Sequence, residues 1–248
     1  MPPRLIVALD YPSAPPALAL VEQLKDSCSW FKVGLELYLA EGNPIVQELR
    51  HRGFSVFLDL KLHDIPNTVA GAIRSVGSDP ATSPQLLTLH AAGGPAMLQA
   101  AAEAAASLPN PPQLLAVTVL TSMDQRQLGA IGIDRSPADQ VLRLAETASA
   151  SGIHGFVTSA EEVSTLRRQF PSATLVVPGI RPAGSDTADQ KRIATPAAAL
   201  AAGADYLVIG RPITQAKDPA AATRAIIEEM QQATTLLSRS ARPIPPFC

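Results

Sequence analysis

A chain of 248 residues suits one large α/β domain, and 46% hydrophobic residues with only 4% aromatics predict a core of Ala, Leu, Val and Ile rather than a disordered chain. A formal net charge of −2 argues against nucleic acid or an anionic membrane as partner, so an anionic ligand must be held by a local site. Cys28 and Cys248 form neither a disulfide framework nor a zinc pattern and fit a reducing compartment.

The first apolar run, Leu5 to Leu9, reads as a buried strand ending at Asp10. It is too short for a signal-peptide core or a membrane span, which predicts a soluble, cytoplasmic protein. Pro12, Pro15 and Pro16 mark a turn and the start of a helix over about Ala17 to Lys25. Trp30 to Gly34 predict a second strand with Lys32 inside it, followed by a helix over about Pro44 to Arg52. The third strand begins at Phe54 and carries Asp59 and Lys61 at its C-terminal end, where residues two apart share a face, so opposite charges enter one interior. By itself that pair fits a structural ion pair as well as a reactive one. Asp64 falls just past the strand, Pro66 closes it, and Asn67 or Thr68 is placed to cap a helix running to about Gly77.

Leu86 to Leu89 predict a fourth strand ending at His90, read as structural, with Ala91-Ala92-Gly93-Gly94 and a helix over about Pro95 to Ser107 behind it. Leu114 to Leu120 give a fifth strand ending at Thr121-Ser122, and a helix spans about Pro137 to Ser151. Gly155 to Thr158 and Leu175 to Val177 are the sixth and seventh strands, separated by a helix over about Glu161 to Gln169. After Pro178-Gly179-Ile180-Arg181 the stretch to Gln190 is rich in Pro, Gly, Ser and Asp, the composition of a long loop. A short helix over Pro196 to Ala202, an eighth strand over Tyr206 to Ile209, Gly210-Arg211-Pro212 and a helix over about Pro219 to Ala233 complete the pattern. Gly77 to Pro84 and a Pro-rich tail from about Ser238 read as surface additions to a single domain over residues 1–248.

Eight strand runs alternating with helices predict parallel βα units closing into a (β/α)8 TIM barrel. A doubly wound sheet is the alternative, but no Gly-x-Gly-x-x-Gly follows the first strand. In a barrel of this kind the C-terminal strand ends are the working face, which gathers Asp10, Lys32, Asp59, Lys61, Thr121, Arg181 and Arg211 at one mouth. The loops after the seventh and eighth strands commonly bind phosphate, and here they carry Gly179-Ile180-Arg181 and Gly210-Arg211. A phosphorylated small molecule is the expected substrate.

The run Asp59-x-Lys61-x-x-Asp64-Ile65-Pro66-Asn67-Thr68 resembles the signature of the orotidine 5′-monophosphate decarboxylase family. Asp10, Lys32, Leu89-His90-Ala91-Ala92-Gly93-Gly94, Val119-Leu120-Thr121-Ser122, Pro178-Gly179-Ile180-Arg181, Gln190 and Gly210-Arg211-Pro212 extend the resemblance over nearly the whole chain, especially to its bacterial branch. The resemblance implies conversion of orotidine 5′-monophosphate to UMP in pyrimidine biosynthesis, without metal or cofactor. It implies that Asp10 and Lys32 bind the ribose hydroxyls, that Asp59 lies against the departing carboxylate, and that Lys61 protonates the carbon left behind. Thr121 is then expected on the pyrimidine, with Ile65 and Pro66 also in substrate contact, and Arg181, Gln190, Gly210 and Arg211 around the phosphate. Asp64 and Thr68 are expected to enter the site of the partner subunit of a homodimer. Magnesium-dependent phosphosugar enzymes that share Asp-x-Lys-x-x-Asp look different at two points, because they lack Ile-Pro-Asn-Thr and use a carboxylate where this chain has Lys32. A non-catalytic nucleotide-binding barrel is a further alternative, opposed by the retention of costly buried charges.

Overall fold

The two-residue period of eight short strands decides both what fills the molecule and what faces its opening. The computed structural model describes residues 4–182 and 194–240. Among them β1 (Arg4–Ala8), β2 (Trp30–Gly34), β3 (Ser55–Leu62), β4 (Leu86–His90), β5 (Gln113–Val117), β6 (Gly155–Val157), β7 (Thr174–Val177) and β8 (Tyr206–Ile209) pair in parallel with their chain neighbours, and β8 returns to β1 to close the barrel. The helices are α1 (Ala14–Leu24), α2 (Leu35–Glu41), α3 (Asn43–His51), α4 (Pro66–Gly77), α5 (Gly94–Ala106), α6 (Gln125–Ala130), α7 (Pro137–Ala150), α8 (Val163–Gln169), α9 (Pro196–Ala202), α10 (Arg211–Thr214) and α11 (Pro219–Ser240).

Alternate strand residues point to opposite sides of the sheet. Leu5 and Val7 of β1, Phe31 and Val33 of β2, and Val56 and Leu58 of β3 join the cluster that also contains the buried residues of the surrounding helices. Ile6 and Ala8, Trp30, Phe57, Leu86, Leu115, Val176, Tyr206 and Val208 form a second cluster inside the barrel. Burying one such large side chain contributes roughly 1.5–3 kcal/mol, so both faces of every strand stabilise the closed sheet. Two residues further along the inward face the chemistry changes: Ala8 leads to Asp10, Trp30 to Lys32, Phe57 to Asp59, Leu86 to Thr88 and Val208 to Gly210. The mouth is therefore polar and its floor apolar.

Several boundaries differ from the sequence reading. Helix α1 starts at Ala14, because Pro15 and Pro16 fit a first turn whose N–H groups need no intrahelical partner. For the same reason α4 begins at Pro66 with Ile65 as its N-cap, so neither Asn67 nor Thr68 is the cap. The short helices α2, α6 and α10 were not anticipated. The segment Gly77 to Pro84 is not wholly a surface addition, since Thr82, Ser83 and Pro84 are buried. Helix α11 continues to Ser240, past the expected start of the tail, and residues 241–248 lie outside the described residues.

Candidate active site

Four charged side chains alternate in sign across the ends of the first three strands. Lys32 Nζ lies 2.9 Å from Asp10 Oδ1 and 3.6 Å from Asp59 Oδ2, and Lys61 Nζ lies 2.8 Å from Asp59 Oδ1. Burial works against the Lys32 ammonium, but the carboxylates of Asp59 and Asp10 outweigh it and raise its pKa. Burial likewise pushes the Asp59 carboxyl up, and the two lysines with their hydrogen bonds, joined by Thr88, bring it below the usual carboxylate value. Both groups are thus charged through the neutral range, and each holds the other in place.

The spacing depends on two residues that carry no charge. A Cβ on Gly34 would sit 2.9 Å from Lys32 Nζ and 3.3 Å from Asp10 Oδ1, so a larger residue there would push that pair out of its present position. On β4, Thr88 Oγ1 donates to Asp59 Oδ1 at 3.0 Å and accepts the Lys61 backbone N–H at 2.8 Å. The sheet is irregular at this point, with Leu58 opposite Leu87 and Leu62 opposite Leu89, so that three β3 residues face Thr88 alone. Lys61 has φ 50°, and among the described residues it is the sole non-glycine with positive φ. A left-handed backbone at such a residue costs on the order of 1–3 kcal/mol and persists only where neighbours over-determine it.

Across the ring, β7 stands opposite β3. After β7, Gly179 turns the chain with φ 76°, and Arg181 is buried with Nη1 donating to the Ile180 carbonyl at 2.9 Å. A parallel bridge between Ile180 and Ala194, with the Arg181 N–H on the Ala194 carbonyl, ties the two ends of the intervening segment together. Arg211 follows Gly210 at the start of α10. These groups, Asp10, Lys32, Asp59, Lys61 and Thr121 enclose a cavity of about 250 Å³ whose apolar lining includes Ala8, Phe57, Val117, Val157 and Val208. A larger groove of about 850 Å³ opens at the N-terminal strand ends beside Arg4, Cys28, Trp30 and α11. Among the described residues its titratable groups are Arg4 and Cys28, whose thiol burial pushes up to about 11, so size does not mark the reactive site here.

The structure gathers eight of the residues singled out in the sequence, Asp10, Lys32, Asp59, Lys61, Thr121, Arg181, Gly210 and Arg211, around one cavity. It does not bring Asp64, Ile65, Pro66 or Thr68 into that lining. Among the described residues the Asp64 carboxylate forms no ion pair, and it accepts the Ile65 N–H at 2.6 Å. Ile65 is 67% exposed, and Leu35 and Leu39 of α2, the helix that leaves the neighbouring strand, are 48% and 79% exposed. Gln190 lies outside the described residues. His90 stacks obliquely near His63, ring centres 5.4 Å apart, and burial, then His63 and Lys61, hold its pKa below the usual value.

The family model described as "Orotidine 5'-phosphate decarboxylase / HUMPS family" matches residues 3–226 of this chain. The chain is 52% identical over 233 residues to a protein of Halorhodospira halophila named orotidine 5'-phosphate decarboxylase, covering 94% of this chain and 98% of that one. It is 50% identical over 224 residues to a protein of the same name from Dichelobacter nodosus, covering 90% and 96%. Among solved structures, that of orotidine 5'-phosphate decarboxylase from Lactobacillus acidophilus superposes with a TM-score of 0.81 at 36% identity, covering 92% of this chain and 99% of that one.

Proposed function

This chain belongs to the orotidine 5′-phosphate decarboxylase / HUMPS family, and from that membership and the charge array at its barrel mouth we propose that it decarboxylates orotidine 5′-monophosphate to UMP in pyrimidine biosynthesis. The observation that carries the reading is the unbroken series Asp10, Lys32, Asp59, Lys61, each 2.8–3.6 Å from the next, above an apolar floor. Breaking the bond between the pyrimidine C6 and its carboxylate leaves the electron pair on an sp² carbon as carbon dioxide departs. An ammonium fixed beside that carbon stabilises the developing charge and then donates its proton there, and Lys61 is assigned both tasks. Asp59 lies against the departing carboxylate, while Lys32 and Asp10 take the ribose hydroxyls. Thr121 contacts the pyrimidine, and Arg181, Gln190, Gly210 and Arg211 take the phosphate.

Because the Lys32 ammonium sits between the Asp10 and Asp59 carboxylates and the Lys61 ammonium covers the other Asp59 oxygen, a divalent cation is not part of the proposed mechanism. The purified protein is expected to deplete the ultraviolet absorbance of orotidine 5′-monophosphate and form UMP at the same rate before and after exhaustive chelation. Loss of turnover on chelation would favour a metal-dependent relative, and no turnover in either state would end the assignment.

We also assign the enzyme a homodimer with shared sites, in which Asp64 and Thr68 complete the partner's array. Support comes from the exposed position of Asp64 and from exposed Ile65, Leu35 and Leu39 on the segments that follow the adjacent strands β3 and β2. Mixing inactive Lys61→Ala chains with inactive Asp64→Ala chains is expected to restore activity toward about one quarter of the parent value, since a mixed dimer holds one intact site and one doubly defective site. No recovery despite demonstrated subunit exchange overturns the sharing. Among the described residues no helix is long and apolar enough to cross a membrane, and we place the enzyme in the cytoplasm.

A further inference from the structure

The hydroxyl of Thr88 makes two contacts at once. It is fully buried, it accepts the N–H of Lys61, and it donates its own hydrogen to the Asp59 carboxylate. Neither contact is repeated by the sheet, because the β3–β4 register slips between Leu58 and Leu62 and takes the Lys61 N–H out of the regular pairing pattern. The left-handed turn at Lys61 directs its side chain back along the strand, so that Nζ meets the Asp59 oxygen that Thr88 also touches. One oxygen atom on the neighbouring strand thus sets where the Lys61 backbone is and where the Asp59 carboxylate points.

We propose that Thr88 is a positioning residue for the decarboxylation, fixing the Lys61 ammonium and the Asp59 carboxylate relative to each other through a single hydroxyl. This inference rests on the roles given above to Lys61 and Asp59. Thr88 is not among the cavity-lining residues, so it acts through the two groups that are. A buried threonine that only satisfied its own hydroxyl would need one partner. Here the donor side is spent on the charged acid and the acceptor side on the lysine backbone, an arrangement in which valine has the right shape and neither function.

Steady-state kinetics on Thr88→Val and Thr88→Ser test the role. Thr88→Val is expected to lower kcat about a hundredfold, the scale of a misplacement of about 1 Å at a reacting group, with KM held within about threefold because the phosphate arginines are untouched. Thr88→Ser keeps the hydroxyl and is expected to return kcat to within about threefold of the parent. If Thr88→Val does not fold, Thr88→Cys, with a weak donor in nearly the same volume, replaces it in the comparison and should fall on the low-kcat side of Thr88→Ser. Parent-like kcat in the hydroxyl-free variant, a loss confined to KM, or an equal loss in Thr88→Ser each overturn the proposal. The parent is assayed first: absence of turnover there defeats the reading of the whole site, whereas a working parent beside a fully active Thr88→Val defeats the Thr88 role alone.

Discussion

Lys61→Ala is expected to reduce kcat for decarboxylation by at least about four orders of magnitude, ~5.4 kcal/mol of barrier, while the barrel and measurable nucleotide binding persist. The substitution removes the proposed proton donor and the positive charge nearest Asp59 in one step. It leaves Lys32 on the other carboxylate oxygen and the arginines across the mouth in place, which is why ground-state binding survives. It also relieves little of the backbone, since the amide that Thr88 accepts is still present. Single-turnover measurement of UMP formation beside a direct titration of nucleotide binding separates the two effects. A variant within about tenfold of the parent rate, roughly 1.4 kcal/mol, removes Lys61 from the mechanism.

Arg211→Ala is expected to lower kcat/KM by about a thousandfold, ~4 kcal/mol, although the residue is far along the chain from the reacting carbon. Charge-assisted hydrogen bonds to a phosphate are worth roughly 1.5–3 kcal/mol each, and a guanidinium supplies them in pairs. Part of that energy is realised only as the site organises around the substrate, so the loss should enter kcat as well as KM. The decisive comparison uses orotidine without its phosphate. Parent and variant should turn that compound over at similar rates, and the large difference should appear only with the phosphorylated substrate. Equal kcat/KM on the phosphorylated substrate would withdraw the phosphate assignment.

The order of strands and helices was legible because each strand is a compact apolar run and each long helix has room for several turns of its own period. The mouth was legible for a related reason: Asp10, Lys32, Asp59 and Lys61 interrupt apolar runs at strand ends, where a charge is conspicuous. Thr88 was not, because a threonine inside Leu86 to His90 looks like any β-branched strand residue. Its importance depends on a slipped register with β3, which is a property of two strands and of neither alone. The left-handed turn at Lys61 was hidden for the same reason, since strict alternation had already put its side chain on the correct face. Gly34 reads as the end of a strand until the Lys32 and Asp10 side chains are placed beside it. The helices α2, α6 and α10 are too short to establish a period, and Pro66 disguised the start of α4 as the end of a strand.

The layering of the barrel interior has a consequence for how such an enzyme can diversify. Within one strand, Phe57 helps fill the floor and Asp59 faces the cavity at the mouth, and the same division holds for Trp30 and Lys32 in β2. Substitutions at the upper position alter reactivity while the residues that exclude water from the barrel centre remain, and substitutions at the lower position do the reverse. A lineage built on this scaffold can therefore explore new substrates through a ring of alternate positions without first losing the folded state that makes exploration survivable.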